Sequence, residues 1–226
     1  MNRTRIKICG LTREEDIHAA VAAGVDAIGF VMYAKSPRAV TVERAAELAK
    51  LLPTFVTPVL LFVNEISETI AHTSTQVPGA WLQFHGDETP DHCRKIARTL
   101  GRRWIRAARI PLETPAGEEP FDLLKYAQDY SDAQAVLLDA HVDGYGGGGK
   151  TFNWSQLPQN VNAHLVLSGG LNAANVTDGI RALRNHGLSL AVDVSSGVES
   201  AKGIKDAAKI HDFVRAVRAA DAEQPL

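Results

Sequence analysis

The stretch RIKICGLTREED, residues 5–16, decides the fold. Its first five residues alternate in polarity, the period of a strand with one face buried. A turn with a single glycine, Gly10, follows, and then Thr12 and Glu15 stand at capping-box spacing and predict a helix start. A doubly wound sheet that binds a dinucleotide carries a G-x-G-x-x-G fingerprint at this point. Its absence favours another way of arranging strands and helices.

Outward from this unit the same order repeats. Strand-like runs recur at AIGFVM (27–32), TPVLLFV (57–63), AWLQFH (80–85), RWIRAA (103–108), AVLLD (135–139), HLVLS (164–168) and LAVDV (190–194), which makes eight with the first. Helical patterns lie between them, with Thr89 ahead of Pro90 and Asn172 ahead of AANVTDGIRALRN as further starts. Spread over eight units, 226 residues allow about 28 each, enough for a strand, a helix and two short loops. The predicted fold is therefore α/β, a single-domain (β/α)8 TIM barrel over residues 1–219, with 220–226 as a flexible tail. PLETPAGEEP (111–120) reads as a loop after the fifth strand, and the sixth unit keeps only a stub of helix around 154–157.

A formal net charge of -2 gives no electrostatic reason to expect nucleic acid or an anionic membrane as partner. No apolar run approaches the ~20 residues of a membrane helix, and the N-terminus lacks the apolar core of a signal peptide, so a cytoplasmic protein is expected. Cys9 and Cys93 are expected to be free thiols in that setting. Without CxxC, HExxH or a Cys/His cluster, the expectation is no metal and no cofactor.

In a barrel the side chains that point outward pack against helices and are apolar, which fixes strand parity. Ile6 and Ile8 face out, so Lys7 and Cys9 face in; Leu82 and Phe84 face out, so Gln83 and His85 face in. By the same rule Leu138 places Asp139 inside, and Val192 with Val194 places Asp193 inside. Four strands thus aim polar groups inward near their C-terminal ends, where barrel enzymes build their sites. The acids have a structural alternative as partners of Lys7, and His85 has one as a strand-closing bond to a backbone carbonyl. Cys93 falls in DHCRKIA and reads as packing.

Loops at the same face add binding groups. LSGGLN (167–172) and VSSGVE (194–199) bring glycine-exposed backbone N–H groups to the place where barrels hold phosphate. KSPR puts Arg38 on the loop after the second strand, as a carboxylate clamp or a solvated surface residue. DGYGGGGKTFNW (143–154) contains the P-loop pattern GxxxxGKT from Gly144 to Thr151, but AHVD separates it from its strand and Pro158 stands where its helix should run. A glycine-rich lid beside Asp139 is the better reading.

Together these stretches resemble the phosphoribosylanthranilate isomerase family. KICGLT (7–12), DAIGFVMYAKSPR (26–38), LFVNE (61–65), LQFHGDE (82–88), LLDA (137–140), YGGGGKTFNW (145–154), LSGGLN and VDVSSGVE (192–199) carry the resemblance across nearly the whole chain. It implies an Amadori rearrangement of N-(5'-phosphoribosyl)anthranilate to 1-(2-carboxyphenylamino)-1-deoxyribulose 5-phosphate, the third step from chorismate to tryptophan, in a monomer or homodimer that binds this small phosphosugar. It assigns the general base to Cys9 and the general acid to Asp139. Arg38 would bind the anthranilate carboxylate, His85 and Asp193 would line the pocket, and the backbone of Gly169, Gly170, Ser195, Ser196 and Gly197 would hold the phosphate. Lys7 would favour the Cys9 thiolate. The related isomerase of histidine biosynthesis uses aspartates as acid and base, and Cys9 argues against it; a phosphosugar-binding barrel without catalysis is the alternative from another class.

Overall fold

The computed structural model describes residues 3–112, 119–140 and 151–223. Eight parallel strands close into a barrel in sequence order: β1 (Arg5–Cys9), β2 (Ala27–Val31), β3 (Thr57–Phe62), β4 (Trp81–Phe84), β5 (Trp104–Ile110), β6 (Ala135–Ala140), β7 (His164–Leu167) and β8 (Ser189–Val194). Closure is made by β1 and β8, with Lys7 opposite Asp193 and Ile8 opposite Val194. The helices are α1 (Glu14–Ala23), α2 (Val42–Ala49), α3 (Ser67–Gln76), α4 (Pro90–Leu100), α5 (Leu123–Asp129), α6 (Val176–Leu183) and α7 (Ala207–Ala222). The sixth unit holds only a 3-10 turn at Trp154–Gln156.

The barrel follows from alternation. Ile6, Ile8, Leu82, Phe84, Leu138, Val192 and Val194 pack under the helices in one continuous core, while Ile105, Ala107, Leu137 and Val166 fill the barrel interior. An apolar group on either face leaves water, at roughly 25 cal/mol per Å² of apolar surface buried. Only near the C-terminal strand ends does the inner face turn polar.

Helix ends show where local chemistry and tertiary contacts compete. At α4 the Thr89 side chain accepts from His92 N–H, Pro90 occupies the first turn and Gly101 closes the helix at φ 62°. Cys93, Ile96 and Ala97 form its buried face. The capping box expected at Thr12 is not formed. Helix α1 begins one residue later with Arg13 at the cap position, because the Thr12 hydroxyl donates to Gly203 O at 2.8 Å instead. Asn172 is likewise not the cap of α6: its side chain accepts from Ala174 N–H in a turn, and the helix starts after Asn175.

Gly203 belongs to a short hairpin that the sequence did not announce, β9 (Glu199–Ala201) with β10 (Ile204–Lys205). The loose tail expected from residue 220 is also corrected. Helix α7 runs to Ala222, Ala220 is fully buried, and Thr4 donates its N–H and hydroxyl to Asp221. Residues 224–226 lie outside the described residues, as do most of the expected P-loop match and glycine lid (141–150) and of the loop after β5 (113–118). Among the described residues no helix is long and apolar enough to cross a membrane.

Candidate active site

The C-terminal ends of the strands surround an open cleft, lined by inward side chains and by the loops after β2, β7 and β8. Its floor is built on β1 and β8. Lys7 Nζ donates to Asp193 Oδ1 at 2.8 Å with both side chains only 6% exposed, and Ser168 Oγ donates to the other carboxylate oxygen at 3.3 Å. The expected pairing of Lys7 with an acid thus selects Asp193 and leaves Asp139 for another partner.

Cys9 follows two residues along the same face of β1, buried among Val31, Leu61 and Val63. Gly29 stands opposite it in register on β2. A Cβ there would lie 2.7 Å from Cys9 Sγ and 3.1 Å from Lys7 Nζ, so the missing side chain makes room for thiol and ammonium together. Burial pushes the Cys9 thiol up, Lys7 pulls it down, Asp193 pushes it up and Lys205 pulls it down; the net direction is up. Lys7 itself is drawn down by burial, but Asp193 and then Cys9 outweigh that and raise it. Lys7 therefore pulls against burial, and the thiol stays above its ordinary value.

His85 does not close its strand on a backbone carbonyl. Its Nε2 is 3.0 Å from Asp139 Oδ2 and its Nδ1 is 3.0 Å from Gln83 Nε2, which makes a buried file of three side chains across β4 and β6. Backbone bracing holds this file in place. Glu88 accepts from the N–H groups of Asn64 and Gly86, and Arg106 donates to Glu88, Phe84 O and Gly86 O.

Arg38 is buried, not solvated. Its Nε and Nη2 donate in bidentate fashion to Glu199 at 2.7 and 2.8 Å, so the carboxylate it clamps belongs to this chain. The guanidinium retains N–H donors on its other edge and lines the cleft. Glu199 also accepts from Lys205 Nζ at 2.9 Å, and the same ammonium donates to Ser195 O at 3.0 Å. Burial pushes the Glu199 carboxyl up, but Arg38 and Lys205 outweigh it and hold the group below the usual range. Burial lowers Lys205 despite its bond to Glu199. Ser195 Oγ donates in turn to Cys9 O at 2.9 Å, which ties the loop after β8 to the end of β1.

Gly169, Gly170, Ser195 and Ser196 line the same cleft as Arg38. Gly169 adopts φ 75°, and a Cβ there would lie 2.6 Å from Ala140 N and 2.9 Å from Asp139 Oδ1. Gly197 differs from its neighbours. It packs beneath them, where a Cβ would lie 1.9 Å from Leu171 O, and so presses the loops after β7 and β8 together without lining the cleft.

The structure brings Cys9, Arg38, His85, Asp139 and Asp193 into one cleft, as parity and loop position predicted. Sequence reasoning missed Glu199, Lys205 and Gly29. Two lie on an unforeseen hairpin, and the third acts by having no side chain. Among the described residues no group of three or more His, Cys, Asp or Glu side chains could hold a metal ion.

Residues 6–216 match the family described as N-(5'phosphoribosyl)anthranilate (PRA) isomerase. A protein of Methylibium petroleiphilum named N-(5'-phosphoribosyl)anthranilate isomerase is 61% identical over 220 residues, covering 97% of this chain and 96% of that protein. The crystal structure of phosphoribosyl anthranilate isomerase from Thermotoga maritima superposes with a TM-score of 0.81 at 38% identity, covering 96% and 99% of the two chains. A second structure of such an enzyme, in complex with reduced 1-(o-carboxyphenylamino)-1-deoxyribulose 5-phosphate, gives 0.78 at 36% identity with the same coverage.

Proposed function

This chain belongs to the N-(5'-phosphoribosyl)anthranilate isomerase family of tryptophan biosynthesis, and on that premise we propose that Cys9 and Asp139 are its general base and general acid. The enzyme converts N-(5'-phosphoribosyl)anthranilate to 1-(2-carboxyphenylamino)-1-deoxyribulose 5-phosphate. Asp139 gives a proton to the ribose ring oxygen as the C1–O bond breaks, and the aniline nitrogen supplies the electron pair that forms a protonated Schiff base. The Cys9 thiolate then removes the C2 proton, and the enolamine tautomerises to the ketone.

The observation that carries this reading is that a buried thiol and a buried carboxyl project into the same cleft from non-adjacent strands. Acid and base can therefore reach different atoms of one sugar. Arg38 meets the anthranilate carboxylate with the donors that Glu199 leaves, as a planar guanidinium fork suits. The backbone of Gly169, Gly170, Ser195 and Ser196 takes the phosphate, Gly197 keeps those loops close, and His85 and Asp193 complete the lining. The active protein is proposed to be a cytoplasmic monomer or homodimer.

The test follows the fluorescence of phosphoribosylanthranilate, made in situ from anthranilate and phosphoribosyl pyrophosphate, with and without chelator. Wild type is expected to consume it in either condition. Cys9→Ser and Asp139→Asn are each expected to lower kcat by about 10²- to 10⁴-fold, the usual span for one proton-transfer group. Full activity in either variant, with the fold intact by circular dichroism, would remove that residue from the mechanism.

A further inference from the structure

Gln83 has no part in the reaction scheme above, although it is fully buried and lines the cleft. Its Nε2 lies 3.0 Å from His85 Nδ1, and His85 Nε2 lies 3.0 Å from Asp139 Oδ2. An amide nitrogen only donates, so Nδ1 is the ring nitrogen with the lone pair. A neutral imidazole carries one N–H, which then sits on Nε2 and is donated to Oδ2. With Oδ2 receiving that hydrogen, a proton on Asp139 has one place left, Oδ1. This is the oxygen beside Gly169, a residue that lines the cleft together with Asp139.

We propose that Gln83 is a positioning residue for the isomerisation: its amide fixes the Nε2–H tautomer of His85, which confines the transferable proton of Asp139 to the oxygen that faces substrate. The proposal rests on Asp139 being the general acid. In the ring-opening step the O–H bond at Oδ1 breaks and a new O–H bond forms on the ribose ring oxygen. The C1–O electron pair goes to that oxygen, and the nitrogen lone pair becomes the C=N bond. His85 neither gains nor loses a proton; its N–H stays on Oδ2 and supports the carboxylate that forms.

The opposite amide orientation has the opposite effect. Gln83 Oε1 facing the ring would accept a hydrogen from Nδ1, leaving Nε2 to draw the Asp139 proton onto Oδ2, away from substrate. In the structure Oε1 is instead buried without a hydrogen-bond partner.

The test is long-range ¹H–¹⁵N NMR of the full chain labelled at histidine, with the His85 signals assigned by their loss in His85→Asn. Wild type is expected to show the neutral Nε2–H tautomer. Gln83→Glu, whose carboxylate only accepts, is expected to move the hydrogen to Nδ1 or charge the ring, and to lower kcat about tenfold or more with KM within about twofold. Gln83→Met keeps the volume without the donor and covers the case in which a buried glutamate prevents folding. It should give mixed tautomers and an intermediate kcat. Wild-type His85 with its hydrogen on Nδ1, or unchanged kcat in Gln83→Met, would overturn the proposal. Asp139→Asn separates the two readings: if it stays active the acid assignment fails, whereas its inactivity beside a wrong tautomer removes only Gln83.

Discussion

Two of the buried ion pairs lie on opposite sides of the barrel wall and are bonded very differently. Lys7 and Asp193 meet inside, between β1 and β8 at the cleft floor, 2.8 Å apart, with one further side-chain bond from Ser168. Arg106 and Glu88 meet outside, between β5 and the start of α4, 2.7 Å apart, and both ends are occupied by backbone as well. Arg106 bonds two carbonyls and Glu88 two N–H groups, and Tyr130 lies under the guanidinium at 4.9 Å. A pair held at both ends by backbone braces the chain, whereas a pair that sits beside a thiol tunes that thiol. Burial and distance alone do not distinguish the two; the remaining partners do.

The largest expected effect is on the outer pair. Arg106→Met leaves Glu88 buried without its cation and frees Phe84 O and Gly86 O, so a loss of about 3–5 kcal/mol is expected. Urea unfolding followed by fluorescence measures it as a lower midpoint at unchanged slope. A change within experimental error would mean that the brace is not needed for stability.

The inner pair is expected to respond in chemistry more than in stability. Lys7→Met removes the strongest influence that lowers the Cys9 thiol while leaving Asp193, which raises it. A thiol already pushed up by burial therefore moves up further and its thiolate fraction at neutral pH falls. With it kcat/KM falls, about tenfold for each pH unit by which the thiol titration moves upward. In wild type kcat/KM is expected to climb with pH beyond the ordinary thiol value of about 8.5, and in the variant the climb begins later. Ultraviolet thiolate absorbance reads the same group directly, because burial pushes the Cys93 thiol up to about 12, above this window. An unchanged Cys9 titration in Lys7→Met would end the electrostatic role of Lys7.

These two pairs also show what the sequence made legible. Lys7, Cys9, Asp139 and Asp193 stand between apolar residues on strands, and a period of two then dictates their direction. Arg106 sits in RWIRAA on the outward side, where the same rule expects an apolar residue, and Glu88 lies on a loop with no period to orient it. The partner of Arg38 was hidden for the same reason, since Glu199 is 161 residues away on a hairpin too short to signal itself. Local pattern gave the barrel, its register of inward groups and the placement of the glycine turns. Which charge meets which depends on contacts between distant loops, and those are absent from local pattern.

The smallest effect expected sharpens the contrast through the two cysteines. Both are buried and burial pushes both thiols up, yet Cys9 points inward over Gly29 while Cys93 lies on the inner face of α4 against the outer core. The charges near Cys93 are Arg106 and Glu88, the bracing pair, so it touches no part of the cleft. Cys93→Ala removes one sulfur from a packed site and is expected to cost about 1 kcal/mol, with kcat, KM and the Cys9 titration unchanged. Steady-state kinetics beside a urea curve checks this. A tenfold fall in kcat at full stability would show that the outer core reaches the reacting groups, and the wall between the two ion pairs would then not separate support from chemistry.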